Sequence, residues 1–153
     1  MFLKPSEKMA ELGLTLPLAP RPMAAYAPGV LVDGWAYTSG QLPFVAGELK
    51  YTGRVGSDCT EKEGYDAARL CVLNCLAVAA ELAGGIDLIK RVVKVTGFVN
   101  SAPGFTGQPA VINGASELLG QVFGDAGKHA RAAVGVCELP LGAAVEVEMI
   151  VKI

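Results

Sequence analysis

The chain has 153 residues, 52% of them hydrophobic and 18% charged, with a formal net charge of −2. That length suits one domain able to bury about 68–70% of its unfolded surface without disulfides or metal. Charged residues fall below the usual share of about 25%, which points to a subunit interface for the apolar excess, while a mildly acidic chain without a Lys/Arg cluster makes nucleic acid a poor partner.

Residues 1–20 read as an N-terminal extension packed on the body, with residues 21–153 forming a single domain. Ser6 is placed to cap a short helix running through Leu12, Gly13 to end it, and Pro17 and Pro20 to force extended chain afterwards. Leu14, Leu16 and Leu18 alternate, so the extension is expected to lie along the body. The opening MFLKPSEKMAEL carries both signs of charge where a signal peptide is apolar, and a soluble, cytoplasmic protein is expected.

Val30 to Val32, the turn pair Asp33-Gly34, and Trp35 to Thr38 predict a tight two-residue hairpin, ended by Gly40 and Pro43. The glycine-rich stretch from Gly47 to Gly56 offers at most one short strand, near Leu49. Thr60-Glu61-Lys62-Glu63 is a capping box opening a helix that runs to about Leu82, where Gly84-Gly85 stops it. Ala67, Ala68, Cys71, Cys75, Val78, Ala79 and Leu82 make its inner stripe, and Leu70, Leu73 and Leu76 widen it. The run from Leu70 to Ala80 is broken by Asn74 and is shorter than the roughly 18 residues a membrane span requires.

Val92 to Val99 is rich in β-branched residues and reads as a central strand. Pro109 suits the first turn of a second helix, with Val111, Ala115, Leu118, Val122 and Phe123 inward and Gly124 as its stop. The last residues, 127–153, read as a hairpin: Arg131 heads an apolar strand, Leu139-Pro140-Leu141-Gly142 makes the turn, and a second strand follows. There Val145, Val147, Met149, Val151 and Ile153 alternate with Glu146, Glu148 and Lys152. The order β-β-α-β-α-β-β predicts an α+β fold with both helices on one face of the sheet and charge on the other.

The candidate chemistry is sparse. Four cysteines show no C-x-x-C spacing, and Cys71 and Cys75 lie on one helix face as small hydrophobes. A single histidine, His129, cannot build a multi-histidine zinc site, and no G-x-S-x-G elbow surrounds any serine. No metal or cofactor is expected. What stands out is Arg131, because a rigid guanidinium fork beside apolar wall calls for an anion; a structural ion pair and a ligand carboxylate both satisfy that demand.

Tyr37-Thr38-Ser39-Gly40-Gln41-Leu42-Pro43, Asn113 in the second helix, Arg131-Ala132-Ala133-Val134, and Leu139-Pro140 followed by Val145-Glu146-Val147-Glu148 together resemble the Rid or YjgF family. These are reactive-intermediate deaminases, also called the endoribonuclease L-PSP family. The resemblance covers roughly residues 22–153, and the extension points to a slightly longer branch. It implies a chorismate-mutase-like fold, a homotrimer, and clefts between subunits in which an arginine holds the carboxylate of a 2-imino or enamine acid while water releases ammonia and a 2-keto acid.

Carried over by motif, Arg131 is the clamp, Tyr26 the aromatic wall, Ser39 a hydroxyl donor, Asn113 a helix amide and Glu146 the acidic residue. His129 shares the strand face of Arg131 and falls at the rim. Each has a structural alternative: Tyr26 as an interface aromatic, Ser39 as a backbone partner, Asn113 as filler of a polar gap, Glu146 as a solvated or ion-paired side chain. This chain departs from the resemblance at Ala133, where active deaminases commonly have cysteine, and at His129, where they have proline or a small residue. A non-catalytic trimer binding a small carboxylate is therefore the competing reading; ribonuclease activity, suggested only by the older family label, suits an acidic chain poorly. If Leu141 is near a hairpin tip, Glu146 lies opposite about residue 136, roughly 15–20 Å from Arg131 along the strand. Only a neighbouring chain would then unite the two.

Overall fold

A computed structural model describes residues 3–21 and 25–153. Helix α1 (Pro5–Glu11) starts from Lys4 rather than from Ser6, because Pro5 already has a helical first-turn geometry and the Glu7 carboxylate reaches back to accept from the Lys4 amide at 2.8 Å. Ser6 instead serves as an anchor. Its backbone N–H and its hydroxyl both donate to the Asp87 carboxylate, at 2.8 and 2.7 Å. After Gly13, Leu14 and Leu16 pack against the core, whereas Leu18 departs from the expected alternation and is 97% exposed.

Strands β1 (Gly29–Val32) and β2 (Trp35–Thr38) pair through the Asp33-Gly34 turn, where both residues have positive φ as this turn type demands. A second, unexpected strand precedes the one near Leu49. Strands β3 (Phe44–Val45) and β4 (Glu48–Leu49) form a small hairpin of their own. Helix α2 (Glu61–Ala83) begins with the predicted box, the Glu63 amide donating to Thr60 Oγ at 3.1 Å and the Thr60 amide to Glu63 at 2.7 Å, and ends at Gly84 in the left-handed region. Asn74, the polar break in its apolar run, spends its amide on the carbonyls of Leu42 and Phe44 and so ties the hairpin's base to the helix.

Strand β5 (Arg91–Asn100), helix α3 (Gln108–Phe123), strand β6 (Ala130–Val136) and strand β7 (Val145–Lys152) complete the domain. The five-stranded sheet has the order β1-β2-β7-β5-β6 and is mixed, with β6 parallel to β5 and the other neighbours antiparallel. The last two strands are therefore not a hairpin. β5 lies between them, and α3 is the crossover that the parallel β5–β6 pair requires. Residues 137–144 span the end of β5, the Asn100 amide donating to the Ala144 carbonyl at 2.9 Å, and turn through Leu141 and Gly142 at positive φ. An alternating strand after a Pro-Gly turn reveals its faces but not which strand it pairs with, and the long β-branched β5 offers two edges.

Both helices pack on the same face of the sheet. Val92, Val95 and Val99 of β5 and Val145, Val147, Met149 and Val151 of β7 meet Ala67, Cys71, Val72, Cys75, Leu76, Ile112, Ala115, Leu118 and Leu119 in one core. Two glycines set the spacing. A Cβ on Gly114 would strike the Tyr65 carbonyl of α2, and one on Gly97 would strike Ile112, so α3 sits close to both α2 and β5. Cys71 and Cys75 are buried with their thiols aimed at the carbonyls of Val145 and Val147. The opposite face of the sheet bears Glu146, Glu148 and Lys152 together with the exposed side chains of Val30, Val32, Trp35, Tyr37 and Val134. Among the described residues no helix is long and apolar enough to cross a membrane.

Candidate functional site

Parallel register places Arg131 beside Val95, a core-facing residue, so the arginine emerges on the helix side of the sheet under α3. Its Nη1 donates to Asn113 Oδ1 at 2.8 Å and to Ser116 Oγ at 3.1 Å, and its Nη2 donates to the Pro109 carbonyl at 3.3 Å. All three acceptors are neutral. Among the described residues the guanidinium forms no ion pair with a carboxylate. A guanidinium has five N–H donors, so one on Nε and one on Nη2 are left for an anion.

His129, two residues before Arg131 on β6's approach, completes a chain of hydrogen bonds. Its Nδ1 lies 2.6 Å from the Gly127 carbonyl and its Nε2 lies 2.9 Å from Ser116 Oγ. Gly127 can come this close because it has no side chain: a Cβ there would meet the Leu119 carbonyl of α3. Ser116, Gly120, Gly127, Lys128, His129 and Arg131 line an open cleft of about 350 Å³. Lys128 is turned to Asp125, at 2.8 Å, on the outer side.

Ser116 is the residue the sequence reading missed. Its signal was present, since Asn113 and Ser116 are a polar pair three apart on a helix otherwise lined with Val111, Ile112, Ala115, Leu118 and Leu119. Ala133, next inward on the same strand face, is half-buried against the core and adds no polar group.

The remaining candidates gather elsewhere. Gly40 lets the turn after β2 lie against Glu146, whose carboxylate a Cβ at that position would strike. Next to it the Ser39 hydroxyl donates to the Ala27 carbonyl at 2.6 Å, which brings the Tyr26-Ala27 segment alongside. Tyr26 itself is 63% exposed. Burial pushes the Glu146 carboxyl above its ordinary range, and the neighbouring Glu148 charge adds to the effect.

The structure thus brings together Arg131, Asn113 and His129 in one group, and Glu146 with the Ser39-Gly40 turn in another, the backbone next to Tyr26 lying alongside. Glu146 is paired with Phe98, three residues along β5 from the Val95 that adjoins Arg131, and two strands away from β6. That corrects the hairpin geometry: the backbone separation is roughly 14 Å across the sheet. Moreover, Glu146 alternates with the core residues Val145 and Val147 and faces the side away from the helices. The two groups occupy opposite faces of one chain. Among the described residues no cluster of three His, Cys, Asp or Glu side chains could hold a metal ion.

The family model that describes YjgF/chorismate mutase-like proteins, a family carrying the endoribonuclease label, matches residues 6–153. The chain belongs to the YjgF family. Protein TCP17 of Trypanosoma cruzi is 45% identical over 95% of this chain and 91% of its own length. A 2-iminobutanoate/2-iminopropanoate deaminase of Dermatophagoides farinae is 33% identical over 92% of this chain and 94% of its own. Among solved structures, a protein of unknown function from Agrobacterium tumefaciens superposes with a TM-score of 0.90 at 46% identity, covering 97% of this chain and 92% of that one. This YjgF-family chain shares its α+β architecture with relatives of differing description, so its activity has to be argued from its own side chains.

Proposed function

We propose that this protein hydrolyses small 2-imino or enamine acids to 2-keto acids and ammonia, in clefts formed between the subunits of a homotrimer. The observation that carries the reading is Arg131: a partly buried guanidinium held by three neutral acceptors, with donors to spare and, among the described residues, no carboxylate of its own. That is a seat for one small organic acid. The described similarity to a deaminase of 2-iminobutanoate and 2-iminopropanoate supplies the substrate class.

In this scheme the substrate carboxylate rests on Arg131, and Asn113 and Ser116 fix the guanidinium's orientation. Water adds to the C=N carbon; the resulting carbinolamine loses ammonia and leaves the keto acid. Protonated imines are electrophilic, so positioning and a mild proton acceptor suffice. Glu146, with a carboxyl raised by burial and by Glu148, fits that task. Ser39 and Tyr26 stand beside it as hydrogen-bond partner and wall.

Assembly enters because Arg131 and Glu146 lie on opposite faces of the sheet. A neighbouring subunit that brings its Glu146 group to this chain's Arg131 group would complete the cleft, and the exposed Val30, Val32, Trp35 and Tyr37 provide apolar surface for the contact.

The test couples an amino-acid oxidase, which generates the imine, to this protein. Imine decay should be faster with the wild type than with Arg131→Ala. Equal rates would exclude hydrolysis, and keto-acid binding without turnover would select the carboxylate-binding reading that Ala133 leaves open.

A further inference from the structure

The hydrogen-bond chain behind Arg131 has only one consistent assignment of protons when His129 is neutral. The Gly127 carbonyl can only accept, so His129 Nδ1 carries the ring's proton and Nε2 is bare. Nε2 must then accept from the Ser116 hydroxyl, at 2.9 Å. The hydroxyl's hydrogen is thereby committed to the imidazole, and its oxygen accepts from Arg131 Nη1 at 3.1 Å. Every link has one donor and one acceptor, and the chain ends on the guanidinium.

Protonating His129 reverses one link. Nε2 becomes a donor and can only donate to Ser116 Oγ, which then accepts from two cations and turns its own hydrogen out toward the cleft. The cleft that Ser116, His129 and Arg131 line gains a positive charge and a hydroxyl hydrogen free to donate. The charged groups that line the surface beside His129 are Arg131 on β6, Lys128 paired with Asp125, and Arg91, whose Nη2 donates to the Lys128 carbonyl at 3.3 Å.

We propose that Ser116 and His129 are positioning residues for the Arg131 clamp, and that they couple carboxylate capture to the protonation of His129. The inference rests on the carboxylate-binding reading of Arg131 and extends it to two residues that act through the guanidinium. Coupling of this kind is reciprocal, so an acid bound at Arg131 also promotes protonation of His129. In a family where the resemblance places proline or a small residue at this position, His129 would give this chain a pH response of its own.

His129 is the chain's one histidine, which makes the test direct. Long-range proton–nitrogen NMR of the full-length, nitrogen-15-labelled protein reads the neutral ring without any ligand. The proton is expected on Nδ1; a neutral ring protonated on Nε2 overturns the proposal. Calorimetry with 2-oxobutanoate then measures affinity from about pH 8 down to about pH 5.5. The wild type should bind at least about fivefold more tightly at the acid end and take up protons on binding. His129→Gln keeps an amide oxygen to accept from Ser116 but cannot gain charge, so its affinity should lose that slope. Ser116→Ala, which cuts the chain, should weaken it.

An unchanged slope in His129→Gln overturns the coupling and leaves the clamp standing, whereas a wild type that binds no 2-oxobutanoate at any pH overturns the clamp and the coupling together.

Discussion

Arg131→Lys separates the two things a clamp can supply, charge and geometry. Lysine keeps the positive charge but replaces the planar fork with one ammonium. In the structure three guanidinium donors are spent on Asn113, Ser116 and Pro109, and two remain for a carboxylate. An ammonium has three donors in all. It cannot hold the same protein acceptors and also present a paired edge to the ligand. The loss should be one charge-assisted bond, about 1.5–3 kcal/mol, which is roughly a 10- to 150-fold weaker dissociation constant for 2-oxobutanoate. Asn113 and Ser116 are only partly buried and can turn to water, so thermal stability should change little. Calorimetric binding alongside thermal melts would measure both. A lysine variant that binds within twofold of the wild type would show that charge alone does the work, and the argument from the spare donors would fail.

Three further outcomes follow from the same structure. Glu146 holds its proton more tightly folded than unfolded, because its folded value is raised by burial and by Glu148. Its contribution to stability is therefore present at acid pH and declines as pH rises from the ordinary carboxylate range through that raised value. Glu146→Gln should flatten the fall, leaving the variant the more stable of the two toward neutrality; a melting profile parallel to the wild type's would refute this. Asp87 behaves oppositely: the Ser6 backbone N–H, the Ser6 hydroxyl and the Lys4 charge lower its carboxyl, so its contribution is present above the ordinary carboxylate range and is lost as pH falls through the lowered value. Asp87→Ala should cost less than about 1 kcal/mol at this exposed site yet speed hydrogen exchange across α1, and unchanged exchange there would mean that the Ser6–Asp87 link does not hold α1 in place. Of the four thiols, exposed Cys137 should react with maleimide in the native state while Cys59, Cys71 and Cys75 wait for unfolding, since burial raises all three and pushes Cys75 to about 12; fast reaction of Cys71 or Cys75 would contradict the packing of α2 on β7.

Local chemistry made much of this molecule readable. Asp33-Gly34 specifies its turn because two positive φ values are needed in sequence, and Thr60 with Glu63 specifies a helix start because each side chain satisfies the other's amide. Strand partnership is different, because it is decided by which edges remain open after the longest apolar strand has been buried. β5 took both β6 and β7, and nothing in the alternation of Val145 to Val151 distinguishes pairing with β6 from pairing with β5. The same limit governs the candidate site. Arg131 was legible as a cation needing an acceptor, but the identity of that acceptor depended on its face, and its face depended on register with Val95. Once register sets Arg131 under α3, the helical spacing of Asn113 and Ser116 makes them its neighbours, and the bare Gly127 lets His129 close the chain. Register also sends Glu146 to the other face. The fold of one chain therefore separates the guanidinium from the carboxylate that the resemblance assigns to one cleft, and the reaction proposed for them depends on surface that a single chain leaves exposed.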